Sequence, residues 1–229
     1  RVRSEPSRDL KNTPGAHVAT LAIMKTRIAK ELRRTGAAGI DDDIEEAIYT
    51  AIEEYQSHRL RFNESRAVTF STVADQDIYD ESDAAGLGTV VECDYLTMTV
   101  DDNTWRLDPG DAAEIDLQTN ASSGMPSEYV WYGEQLRLWP TPSSSGWTVR
   151  VVGHVTVAAP ASDVEADNPW MIKAEKLIRC RAKRELALHR LRDPDLAALM
   201  GNEEMDALNK LERRHNQLVG TGKVRPMAM

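Results

Sequence analysis

Carboxylates are the most plentiful reactive groups in this chain, and a suitable pair of them could hydrolyse a glycan. That chemistry needs two acids roughly 5–9.5 Å apart across a cleft. Asp101, Asp102, Glu128 and Glu134 are the acids that fall in predicted loops or turns, and no spacing singles out a pair. Asp163, Glu165 and Asp167 alternate ahead of Asn168 and could share a cation, but a solvated approach to a capped helix is the favoured reading. Asp41, Asp42 and Asp43 lack the glycine and distal glutamate of a calcium loop, and helix capping explains them. Gly220-Thr221-Gly222-Lys223 superficially resembles a phosphate loop. Gln217 stands where the first glycine belongs, however, and the stretch follows a helix rather than a strand.

No HExxH, CxxC pair or GxSxG occurs. Of the five histidines only His154 lies in a predicted strand, with no Ser or Asp at a suggestive spacing, so a core or surface position is its default. Cys93 and Cys180 fit a reducing compartment as small apolar residues, and a single disulfide between them stays open. The expectation is no catalytic residue, no cofactor and no metal, and so no enzyme.

The elements that would position these groups follow from periodicity. Residues 1–19 mix charges with Pro6, Pro14 and Gly15 and read as a flexible extension. Leu21, Met24, Ile28 and Leu32 recur at helical spacing until Gly36 and Gly39. A second helix is expected from the Asp41–Asp43 cluster, which suits exposed helix N–H groups, to about Phe62. Its apolar stripe is Ile44, Ala47, Ile48, Ala51, Ile52 and Tyr55.

From Val68 the period changes to two. Strands are predicted near 68–72, 89–100, 103–107 and 147–155, with a short helix or turn over 109–116. Residues 129–132 and 135–139 flank Gly133-Glu134 as a hairpin, and the short turns imply antiparallel pairing. Asn168-Pro169 and Asp193-Pro194 each place an N-cap before a proline, starting helices over 169–191 and 194–220.

The expected fold class is α+β: a four-helix bundle formed by N- and C-terminal helix pairs, with an antiparallel β insertion between them. In residue numbers this is an extension over 1–19, helices over 20–66, strands over 67–166, helices over 167–220 and a tail over 221–229.

Charge sharpens the division. The 229 residues carry a formal net charge of −9. Residues 1–66 sum to +1, 67–166 to −14 and 167–229 to +4. The middle region has only Arg106, Arg137 and Arg150 against 17 acids, the opposite of a nucleic-acid-binding sheet. Trp131, Tyr132, Trp139 and Trp147 therefore read as sheet packing rather than base stacking. The longest apolar run, 196–200, has five residues and cannot span a bilayer. No charged-then-apolar leader opens the chain, which argues against secretion.

Several blocks carry a resemblance in order and spacing. They are Arg61-Phe62-Asn63-Glu64-Ser65, Phe70-Ser71-Thr72-Val73, residues 76–79 and Pro126-Ser127-Glu128-Tyr129. Then come Leu136-Arg137-Leu138-Trp139-Pro140-Thr141-Pro142, Asp167-Asn168-Pro169-Trp170, Leu177-Ile178-Arg179 and Gly220-Thr221-Gly222. Over about 20–226 the chain resembles the head-to-tail connector adaptors of tailed bacteriophages. Asp75 stands where that family carries Gly, and residues 1–19 match nothing in it.

The resemblance implies a helical bundle with a β insertion, assembled as a twelve-membered ring beneath the portal and extending the DNA channel. Its partners would be the portal, a downstream tail, stopper or nozzle protein and further copies of itself. Genomic DNA would pass without specific binding, and no membrane is involved. The location would be the virion neck, after assembly in the host cytoplasm. Family C-terminal segments dock on the portal, a role that falls here to Gly220, Thr221, Gly222, Lys223, Val224, Arg225 and Pro226.

Lys173, Lys176, Arg179, Arg181, Lys183 and Arg184 give one helix more cations than a solvated stripe needs. They could meet acids on a neighbouring subunit and close a ring, an ordinary wet face being the alternative. The competing function is a tail-associated peptidoglycan hydrolase built on the four loop acids.

Overall fold

A computed structural model describes residues 20–117 and 123–219. Helix α1 (Leu21–Glu31) opens where the Thr20 hydroxyl accepts from the Ile23 N–H at 3.3 Å. Helix α2 (Ile40–Tyr55) follows Gly39, whose left-handed φ of 72° favours glycine. Asp41, Asp42 and Asp43 occupy its first turn, where the helix dipole favours negative charge. It ends at Tyr55 rather than near Phe62. The Asn63 side chain takes the Leu60 N–H and the His58 carbonyl, tying the chain into a 3-10 turn over Arg61–Asn63.

Nine strands follow: β1 (Glu64–Ser71), β2 (Ile78–Tyr79), β3 (Val90–Val100), β4 (Asn103–Pro109), β5 (Ser123–Gly124), β6 (Glu128–Tyr132), β7 (Gln135–Trp139), β8 (Thr141–Pro142) and β9 (Thr148–Val155). Helix α3 (Ala112–Leu117) lies between β4 and β5. Seven of the strands form one curled, half-barrel sheet in the order β1-β9-β3-β4-β6-β7-β2, and β5 pairs with β8 apart from it. Gly133 and Glu134 have φ of 60° and 64°, the two left-handed residues of a type I′ turn between β6 and β7. Asp75, at the position where the resemblance leads to the expectation of Gly, has φ 64°, and aspartate is among the few other residues that tolerate this conformation.

The last helices are α4 (Pro169–Lys173), α5 (Glu175–Leu186) and α6 (Pro194–Val219). Asn168 caps α4 through the Trp170 N–H at 3.0 Å, and Asp193 caps α6 through the Leu196 N–H at 2.9 Å. The single helix expected over 169–191 is interrupted twice. Ala174 leaves helical geometry at φ −114°, and Ala187–Leu191 form a π turn that ends at left-handed Arg192.

The expected four-helix bundle with an antiparallel insertion is therefore corrected. The described residues hold six helices and a large mixed sheet. Strands β4 and β6 run parallel because α3 carries the chain across between them, which a short turn cannot do. The sheet also buries its own core, with Phe70, Tyr79, Leu96, Met98, Leu107, Leu138 and Val149. A separate helical core joins Met24, Ile28, Ile44, Ile48 and Ile52 to Trp170, Leu177, Ile178 and Leu186. Helices from both sides of the strands thus share one layer, and the sheet forms a second.

Candidate assembly interface

The cations of α5 point mostly into the molecule. Arg179 pairs with Glu31 and, at 3.1 Å, with Glu175. Lys183 is buried and lies 2.7 Å from Glu31. Burial alone would raise the Glu31 carboxyl, but Lys183 and Arg179 hold it below its usual range. Arg181 lies 3.7 Å from both Glu54 and Glu185. Arg184 reaches Glu204 at 3.1 Å, and the Tyr55 hydroxyl donates to the same buried carboxylate at 2.5 Å.

Sequence reasoning missed these partners because Glu31, Glu54 and Glu204 come from three other helices, and no local spacing joins them to α5. Lys173 and Lys176 differ: both are exposed, with no ion-pair partner among the described residues. The seven tail residues 220–226 lie outside the described residues.

The helical layer is fastened to the sheet at two places. Arg59, just past α2, donates to Glu64 at 3.0 Å and to both oxygens of Asp94, one of them at 2.8 Å. Hydrogen bonds from Arg59 hold the Asp94 carboxyl below its ordinary range. Beside it, Asn63 is fully buried, and its Nδ2 lies 2.9 Å from His154 Nε2. The Asn63 oxygen already accepts the Leu60 N–H, so its nitrogen must face the ring, and Nε2 is the acceptor of a neutral imidazole. Burial, and then the Arg59 cation, push the His154 pKa down.

The chain after β9 forms a strap over the helices. Gln56 exchanges two hydrogen bonds with the backbone of Val157, at 2.6 and 3.0 Å. Trp170 Nε1 donates to the same carbonyl at 2.8 Å, and Tyr49 donates to the Pro160 carbonyl at 3.2 Å. Asp163 meets Lys25 at 2.6 Å, while Glu165 accepts from the Ala161 N–H and from Asn168. These acids hold the strap and do not converge with Asp167 on one point; Asp43 pairs with Arg190 at 3.0 Å.

The four loop acids fall in three separate places. Asp101 and Asp102 occupy the β3–β4 turn, and Glu134 occupies the β6–β7 turn. Because β4 and β6 are parallel, those turns sit at opposite ends of the sheet. Glu128 pairs with Asp108, five positions along β4 from Asn103, which at strand rise is roughly 16 Å from the first turn. Cys93 and Cys180 are free thiols in different layers, each pushed up to about 11 by burial.

Apolar groups remain outside. Leu188 and Met205 line an open cavity of about 510 Å³ over α5 and α6, and Val91 and Tyr132 stand exposed on the sheet. No helix among the described residues is long and apolar enough to cross a membrane.

The described residues thus combine internally paired cations with exposed apolar side chains on two packed layers, groups free to meet other proteins. Comparison with protein families makes this specific: the model of the SU10 adaptor protein family matches residues 19–226. The chain belongs to that family of phage head–tail adaptors, so it is a bacteriophage virion component that interacts with other head and tail proteins. No curated protein matches the chain.

Proposed function

We propose that the protein forms the adaptor ring of a tailed-phage neck, joining the portal to the tail or next connector and extending the DNA channel. The observation that carries this reading is the family match, which spans the helical layer, the sheet and the start of the tail. Twelve copies close the ring. The exposed Lys173, at the end of α4, and Lys176 on α5 are the cations left to meet a neighbour's acids, since Arg179, Lys183 and Arg184 are already paired inside the subunit. Gly220, Thr221, Gly222, Lys223, Val224, Arg225 and Pro226 dock on the portal. The acidic sheet region gives passing DNA no phosphate anchor.

The test is to mix the purified protein with its portal and image the product. A symmetric ring added beneath the portal is expected; a portal left bare overturns the reading. Deleting residues 221–229 is expected to leave thermal unfolding unchanged and to abolish portal pull-down. Docking retained by the shortened chain removes the tail from the interface.

A further inference from the structure

Strand β4 leaves the sheet early. It covers β3 only along Leu96–Val100 and meets β6 only at Asp108 and Pro109. The local sequence explains the departure. Pro109 has no N–H with which to continue a ladder. Gly110 sits so close to Ile115 and Glu128 that a Cβ there would come within 3.0 and 3.1 Å of them. Asp111 then caps α3 through the Ala113 N–H at 2.9 Å.

Past that point two strand edges stand open among the described residues. From Val90 to Asp94, β3 has only β9 beside it; from Val130 to Tyr132, β6 has only β7. Between them lies a slot of about 750 Å³. The Tyr129 hydroxyl lies 4.0 Å from the Cys93 sulfur, so a single side chain bridges the opening. At the mouth of the slot β4 still lies between the two walls, and strands flanking one strand are roughly 9.5 Å apart, so the opening begins at the width of one missing strand. Exposed sheet edges are ordinarily blunted by lysine, proline or a covering element. Here Val91 is 44 % and Tyr132 79 % exposed, and half-buried Trp131 joins them in the lining. Glu92 and Asp111 line the slot and no Lys or Arg does, although Arg59, outside the lining, lies 3.6 Å from Glu92.

We propose that this slot is a strand-addition site that takes an extended, basic segment of the neck protein docking on the adaptor. The segment's backbone completes both open edges, its apolar side chains cover Val91 and Trp131, and its cations face Glu92 and Asp111. The source of the segment rests on the adaptor reading; the strand chemistry does not.

The probe is a capped ten-residue peptide of alternating Lys and Val, added to the full chain and followed by fluorescence anisotropy and amide hydrogen exchange. It is expected to bind about tenfold more tightly than its Glu–Val counterpart and than a version N-methylated at every second residue. It should slow exchange at residues 90–94 and 130–132. The double variant Glu92→Lys, Asp111→Asn keeps the α3 cap acceptor and should lose the preference for Lys–Val, with thermal unfolding as the check on folding. Equal binding of the N-methylated peptide, or protection elsewhere, overturns the proposal.

In the assembled neck the same amides should be protected only after the downstream component is added. Protection in a ring of this chain alone assigns the slot to a second copy and overturns the proposal. A complete neck with these amides unprotected removes the neck protein as the source while leaving the adaptor reading intact. Binding of the Lys–Val peptide by a protein that adds no ring to the portal does the reverse.

Discussion

Asn63 donates its amide hydrogen to His154 Nε2 across 2.9 Å, joining the turn that ends the N-terminal helices to the long strand β9. Both side chains are buried, at 0 % and 1 % exposure, so neither can exchange this bond for water. The same asparagine holds the Leu60 N–H at 2.7 Å and the His58 carbonyl at 2.8 Å. One residue therefore sets both the turn and the way the two layers meet.

Replacing it should be costly. Asn63→Ala removes three hydrogen bonds and strands buried polar groups, at a cost of about 3 kcal/mol. Urea unfolding of the full chain measures this as a lower midpoint with an unchanged slope. A loss well under 1 kcal/mol would show that water or a shift of the turn replaces the asparagine.

His154 makes the same junction sensitive to acid. Its folded pKa lies below the usual histidine value, so the unfolded chain takes up a proton first as the pH falls. Stability from the neutral ring is fully present above about pH 6.5 and declines as the pH drops below that value toward the folded pKa. Unfolding free energies between pH 8 and 5 should show this decline, and His154→Gln should lack that part of it. Matching slopes for the two proteins would exclude His154 as the source.

Tyr55 and Glu204 test the interior of the helical layer. The Tyr55 hydroxyl supplies one of the two hydrogen bonds that hold the buried Glu204 carboxylate, Arg184 supplying the other. Burial and that carboxylate push the Tyr55 phenol well above its usual range, so it stays a donor throughout the physiological range. Tyr55→Phe keeps the ring and should cost about 2 kcal/mol by thermal or urea unfolding. A neutral result would mean that Arg184 at 3.1 Å and Arg181 at 4.0 Å satisfy the carboxylate without the tyrosine.

Gly153 tests the sheet. A Cβ there would sit 2.0 Å from the Glu92 carbonyl oxygen, where β3 and β9 are offset by bulges. The obstacle is backbone, so it cannot rotate away. Gly153→Ala should cost about 3 kcal/mol, a larger loss than Gly36→Ala, where a Cβ meets nothing within 4 Å and only the positive φ resists. Comparable melting of the two variants would show that the bulge relaxes.

Local patterns reached a long way into this protein. The apolar stripe of α2, the alternation along β9, the Gly133-Glu134 hairpin and the two Asx–Pro helix starts were legible because each depends on residues a few positions apart. Family membership was legible for a related reason, since ordered blocks such as 136–142 and 167–170 keep their spacing whatever the packing. The acid of the chain could be assigned to its middle segment by counting alone.

Tertiary structure decided the rest. The parallel pairing of β4 with β6 depends on where the chain goes after Pro109, and no alternation of side chains encodes strand direction. The fate of the cations on α5 depends on Glu31, Glu54 and Glu204, which arrive from distant parts of the chain. Counting charges showed an excess of cations but not that most are spent inside the subunit. The open slot beside β3 has the same origin, because a missing strand is a property of neighbours and not of any one segment. Periodicity records which face of an element is buried; only the packed chain records what it is buried against, and what is left open.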